Sequence, residues 1–216
     1  MKIKKIIEQT TNINLSEKQL TRGQQNKNND FETAVKNIIT EYFTEIKKED
    51  FLDIKTIRPG DYVEMNDCFV AQPRGSQSPP DFFIVENNRC FFIECKSIKS
   101  GGTPTWNTRF PEDNTIYLIH TKKTKDTTYF LGKDVLSDEA IKELRNFNDF
   151  LREAVKEHEK KMSDLNSNPY GFYNYVRNMY SQKITLGEED GHIRDFIKNP
   201  NRDVLEQNVL DYLTSY

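Results

Sequence analysis

Three cysteines among 216 residues, Cys68, Cys90 and Cys95, are too few and too odd in number for a disulfide framework, and none stand at CxxC spacing. They read as free thiols of a reducing compartment. His120, His158 and His192 are the only histidines and lie far apart. Without an HxH, HxxxH or HNH-like cluster, zinc and histidine–metal nuclease centres lack support. No GxxxxGK[ST] and no GxGxxG after a strand occurs, which argues against nucleotide-dependent and dinucleotide enzymes. A run of about 18 apolar residues is missing too, and Met1-Lys2-Ile3-Lys4-Lys5 leads into no apolar signal core. Both absences argue against membrane insertion and classical secretion. Nor does one charge dominate. With 31 basic and 34 acidic residues the net is −3, so charge alone nominates no nucleic-acid partner.

What is present is a polar chain rich in aromatics. Charged residues make up 30% and the hydrophobic set 35%, with a mean hydropathy of −0.81. Fourteen Phe and ten Tyr nonetheless exceed what a disordered chain carries, and the length suits one self-sufficient core. No internal repeat is visible. Residues 21–30 contain no apolar side chain and read as a linker. Before them, Ile3, Ile6, Ile7, Ile13 and Leu15 suit a helix or an arm. Phe31, Ala34, Val35, Ile38, Ile39, Tyr42, Phe43 and Ile46 then recur at helical spacing, capped by Asn29 or Asp30. A turn at 58–61 precedes a strand expected over 62–71, and 73–80 reads as loop. Two apolar runs at 82–85 and 90–95 read as a hairpin inside a sheet. Strands follow at 115–121 and 127–131, then a long helix over 137–163, then Tyr-rich and acidic helical pieces. This order predicts a mixed α/β domain with a helical C-terminal part. It divides into an N-terminal arm and linker (1–29), a core (30–136) and C-terminal helices (137–216).

The hairpin allows a geometric prediction. Asn87-Asn88 suits a two-residue turn, because Asn tolerates positive φ. Glu86 then pairs with Arg89, paired positions sum to 175, and Asp81 falls opposite Glu94 with Cβ atoms about 5 Å apart. Lys96, two residues beyond Glu94, emerges on that face as well. Two facing carboxylates repel unless a cation or proton lies between them. Oxygen donors with room for water suit Mg²⁺, which polarises a phosphoryl group and helps generate a hydroxide nucleophile. Lys96 is suited to hold the attacking water and to counter charge on the phosphate. The set fits metal-assisted phosphodiester hydrolysis. Cys95, between these residues, points the other way, towards the core.

Pro80-Asp81, twelve intervening residues and Glu94-Cys95-Lys96 resemble the PD-(D/E)xK nuclease motif, carried on a hairpin behind an amphipathic helix as in that superfamily. The resemblance implies a central mixed β-sheet flanked by helices. It implies that Asp81 and Glu94 bind the divalent metal, that the Cys95 carbonyl completes its shell, and that Lys96 serves the attacking water. A Glu of the first helix often joins that shell. On the wheel Glu32 and Glu45 both fall within the apolar arc and Glu41 just outside, which leaves the choice open.

A second likeness lies downstream. Lys96-Ser97-Ile98-Lys99-Ser100-Gly101-Gly102, then Thr103-Pro104-Thr105-Trp106-Asn107, the strand Ile116-Tyr117-Leu118-Ile119 and Leu131 to Val135 are similar to a subset of bacterial Type II restriction endonucleases. That likeness spans about residues 75–136. It implies double-stranded DNA as substrate, Mg²⁺ as cofactor, 5′-phosphate and 3′-hydroxyl products, a homodimer, a cognate DNA methyltransferase encoded nearby and a bacterial cytoplasmic location.

Charge placement agrees with a DNA partner. Six cations (Lys96, Lys99, Arg109, Lys122, Lys123, Lys125) against Glu112 and Asp113 give residues 96–125 a local net of +4, while 186–216 carry −4. Cations beside the hairpin can neutralise phosphates and release counterions. Asn107 and Arg109 are candidates for reading base edges, Asn to adenine and Arg to guanine. Trp106 admits base contact or core packing. The loop Arg74, Gly75, Ser76, Gln77, Ser78 admits DNA contact or an ordinary Pro-bounded turn. Tyr170, Phe172, Tyr173, Tyr175 and Tyr180 read as packing more readily than as base-stacking platforms. Two rival functions stay open: a repair nuclease or junction resolvase on the same fold, and a non-catalytic DNA-binding module.

Overall fold

The computed structural model describes residues 1–13, 15, 29–51, 54, 56–76, 78–98, 104, 106–107, 110–165, 167–173, 179–180 and 195–216. Helix α1 (Lys2–Thr10) and helix α2 (Asn29–Thr40) precede a short strand β1 (Thr44–Glu45) and β2 (Cys68–Ala71). The hairpin β3 (Phe82–Glu86) and β4 (Arg89–Ile98) follows, then β5 (Trp106–Asn107), β6 (Ile116–Thr121) and β7 (Thr127–Leu131). Helix α3 (Asp138–Ser163), β8 (Met179–Tyr180) and helix α4 (Arg202–Thr214) complete the described elements.

Six strands form one mixed sheet in the order β1-β2-β3-β4-β6-β7, with β5 and β8 paired separately. The chain is therefore α/β, with helices flanking a mixed sheet. β4 and β6 run parallel, while β2–β3, β3–β4 and β6–β7 are antiparallel. The hairpin occupies the centre, as its two-sided apolar pattern predicts. Glu86 pairs with Arg89 and Phe82 with Ile93, and Asn87 and Asn88 take φ of 54° and 58°. Both turn residues thus adopt the left-handed conformation that a tight hairpin needs.

The period of two sorts the side chains. Phe82, Ile84, Phe91, Ile93, Ile116 and Leu118 face one way and pack on Ile3, Ile6 and Ile7 of α1, Val35 and Ile39 of α2, and Val209 and Leu213 of α4. Phe83, Val85, Cys90 and Phe92 face the other way, against Phe51, Ile54 and Val63. Further along that face Trp106, Tyr117, Ile119, Phe130 and Phe196 form a third cluster.

Three boundaries differ from expectation. The helix expected through Ile46 stops at Thr40, where Tyr42 and Phe43 N–H both turn back to the Ile39 carbonyl. Phe43 and Ile46 continue the apolar spacing for another reason: Thr44 and Ile46 N–H bond to Asp67 and Phe69 in the sheet. The strand expected over 62–71 shrinks to Cys68–Ala71. Its first part runs past the hairpin turn, with Val63 N–H donating to Asn88 and Cys90 N–H to Asp61. The N-terminal segment, open between helix and arm, is helix α1, buried along Ile3, Ile6, Ile7 and Thr10.

The long C-terminal helix falls where expected. Ser137 Oγ caps α3 by accepting the Ala140 N–H, acids stand in its first turn and lysines in its last, so side chains and helix dipole agree. α4 is pinned to the sheet by Arg202, which donates to both Asp126 carboxylate oxygens and to the Thr127 carbonyl. Among the described residues no helix is long and apolar enough to cross a membrane.

Candidate active site

The open end of the hairpin gathers the predicted trio. Asp81 sits one residue before β3, where its carbonyl accepts the Gln72 N–H at 2.7 Å and its Oδ2 accepts the Cys95 N–H at 2.8 Å. Glu94, only 6% exposed, receives the Lys96 ammonium on Oε1 at 2.6 Å. Its other oxygen, Oε2, is buried and has no hydrogen-bond partner among the described residues.

Electrostatics follow from that burial. Desolvation, the Glu94 carboxylate and then Glu32 push Asp81 up to about 8, against the opposing pull of the Cys95 N–H and Lys96. Burial likewise raises Glu94, with Lys96 pulling down and Glu32 pushing up. One lysine does not balance three acids. The site is short of positive charge.

Glu32 belongs to the first turn of α2, is half-buried, and its Oε1 accepts from Gln72 Nε2 at 3.1 Å. Of the two candidates left open on the helical wheel, it is the one that acts on Asp81 and Glu94. Glu45 lies instead on β1, ion-paired to Lys36 at 2.7 Å. The wheel placed it wrongly because it assumed an unbroken helix. Gln72, which reaches both Asp81 and Glu32, was missed, and nothing in its sequence context marks it.

Cys95 packs on the helix-covered face, and burial pushes its thiol well above the usual range, which suits a structural thiol. In an extended strand a residue's N–H and C=O lie on one edge, so its carbonyl turns to the Asp81 side.

These groups can be tested as a metal site. Among the described residues no three or more His, Cys, Asp or Glu side chains form a metal-binding group. Two carboxylates with the remaining ligands from water, backbone and substrate are, however, what Mg²⁺ ordinarily takes. The unpartnered Glu94 Oε2, the raised Asp81 and the all-oxygen donor set fit such a cation.

The other predicted contacts separate. Arg74 donates to the Pro79 and Ile57 carbonyls at 3.4 and 3.3 Å and lies over the Phe92 ring at 5.2 Å. Ser78 is half-buried and Ser76 exposed. Trp106 is buried edge-on against Tyr117, with Lys96 Nζ 5.9 Å from its ring. Packing accounts for it, and a base contact by the indole does not agree with 5% exposure. The Asn107 backbone lies on β5. Gln77, Lys99, Arg109 and the Asn107 side chain lie outside the described residues. Compared with models of protein families, with curated proteins and with solved structures, the chain matches none.

Proposed function

We propose that this chain is a Mg²⁺-dependent deoxyribonuclease of the PD-(D/E)xK type, acting as a Type II restriction endonuclease on double-stranded DNA. The observation that carries the reading is the buried, unpartnered Glu94 Oε2 beside Asp81 and Lys96. A buried carboxylate oxygen with no donor costs about 1–3 kcal/mol or more, and a cation at that position relieves it.

Asp81 and Glu94 would hold Mg²⁺, with the Cys95 carbonyl and Glu32 next to it. When bound, the ion supplies Lewis-acid stabilisation of the phosphoryl oxygens and lowers the pKa of water. Lys96, oriented by Glu94, holds the attacking water through its ammonium donors and offsets charge developing on the phosphate. Gln72 positions Glu32. Hydrolysis leaves 5′-phosphate and 3′-hydroxyl ends. A palindromic target calls for two sites about a two-fold axis, hence a homodimer, and a cognate methyltransferase would protect host DNA.

The test is digestion of a sequenced plasmid or phage DNA with Mg²⁺. Discrete, reproducible bands are expected, and Asp81→Asn and Lys96→Ala should fold normally yet cleave at least about 100-fold more slowly. A folded Asp81→Asn protein cutting at the wild-type rate sinks the proposal. Cutting confined to branched or damaged DNA would reassign the chain to repair or junction resolution. Salt-sensitive binding without cleavage would make it a binding module.

A further inference from the structure

Beside the trio lies a cleft of about 770 Å³ into which three arginines converge. Arg58 comes from the loop between β1 and β2, Arg74 from the loop between β2 and β3, and Arg145 from the first half of α3. Like charges brought together from such distant segments repel unless anions lie among them. Glu112 and Asp113 also line the cleft, and Glu112 stands 3.6 Å from Arg74, so part of that charge is met within the chain. Arg58 and Arg145 differ. Both are exposed, and neither is ion-paired to a described residue.

The aromatic lining adds direction. Arg74 lies over Phe92 at 5.2 Å and Arg145 over Phe110 at 5.6 Å. Arg74 spends its N–H groups on the Pro79 and Ile57 carbonyls, whereas Arg145, over its ring, has its planar N–H edge left to grip phosphate with two parallel hydrogen bonds. Phe92 precedes Glu94 by two residues on β4 and shares its face, which sets the cleft about 7 Å along the strand from the trio.

We propose that Arg58 and Arg145, over a floor made by Arg74 and Phe92, clamp a backbone phosphate of the DNA strand next to the scissile one. This rests on the nuclease reading for the identity of the substrate. The occupant is a phosphodiester of the duplex rather than a free nucleotide, because Phe92 in the cleft lining stands on the same strand face as Glu94, so one DNA strand would pass both.

Binding of a fluorescein-labelled duplex, followed by anisotropy in EDTA across a salt series, tests the clamp without requiring cleavage. Each phosphate contact contributes about 0.9 to the slope of log K against log salt. Arg58→Ala and Arg145→Ala should each lower the steepness by about 1 and weaken binding several-fold, uniformly across sequences. The double variant should lose about 2 in slope. Arg145→Lys should retain the slope, since the charge remains, whereas Lys156→Ala, a remote α3 cation paired to Glu153, should change nothing. Both arginines are exposed, so melting curves should match the wild type.

Unchanged slope and affinity in the double variant overturn the clamp, even if Mg²⁺-dependent cleavage upholds the nuclease reading. Weakened duplex binding by these variants, with a wild-type protein that binds but never cleaves, upholds the clamp as a backbone-phosphate contact and sinks the nuclease reading. Displacement of the duplex by micromolar deoxynucleoside monophosphate overturns the clamp in favour of a free-nucleotide site, and wild-type protein that binds no duplex overturns it outright.

Discussion

Glu86 and Glu94 stand on the same hairpin and are buried to the same degree, 5% and 6% exposed, yet their surroundings are opposite. At the turn end, Glu86 accepts two backbone N–H groups of α1, from Lys2 at 2.5 Å and Ile3 at 3.1 Å. The N-terminus of a helix offers unpaired donors and a partial positive charge, so both carboxylate oxygens are satisfied by the fold. At the open end, Glu94 has one oxygen on Lys96, one on nothing, and two further acids acting nearby. Burial alone therefore does not mark function. What separates the two carboxylates is the set of donors that the fold supplies to each.

Exchanging the two tests this contrast most severely. Glu94→Gln should cut cleavage by at least about 100-fold and leave thermal stability equal or higher, because it removes a poorly compensated charge. Glu86→Ala should do the reverse. It strands two α1 N–H groups and should cost about 2–4 kcal/mol in denaturant unfolding, with the cleavage rate per folded molecule unchanged. If both variants lose stability alike, the contrast is false.

The response to Mg²⁺ sharpens it. Millimolar Mg²⁺ should raise the melting temperature of the wild type and of Glu32→Gln, the latter with about 10-fold weaker apparent affinity, since Glu32 acts from behind the two ligands. Asp81→Asn should not respond. A Mg²⁺ shift that survives Asp81→Asn would place the cation elsewhere.

The third test is one of pH, measured in EDTA. With Asp81 raised to about 8 in the fold and near 3.8 unfolded, the native state binds the extra proton between those values. Stability from this group is fully present below pH 4 and drains away as pH rises towards 8. The stability–pH curve of the wild type should therefore fall more steeply over that window than that of Asp81→Asn. Parallel curves would mean that Asp81 is not held protonated.

Legibility followed the range of the interactions. The hairpin register could be derived before any fold was known, because two asparagines set the turn and the period of two carries Asp81, Glu94 and Lys96 to one face. The end of α2 could not, because Phe43 and Ile46 keep helical spacing while serving the sheet. That single break separates Glu32, at the site, from Glu45, on β1 with Lys36. Trp106 was undecided because an indole suits base and core equally until Tyr117 is seen against it.

Sequence alone was sufficient for the mixed α/β class and the alignment of the two carboxylates and the lysine, since both follow from local turn chemistry and side-chain alternation. Tertiary packing decided the rest: that α1 satisfies Glu86, that Glu32 rather than Glu45 charges the site, and that Arg58 and Arg145, 87 positions apart, line one cleft. Those outcomes depend on how remote segments dock on the sheet. No local rule encodes the distance between two side chains that only the completed core brings together.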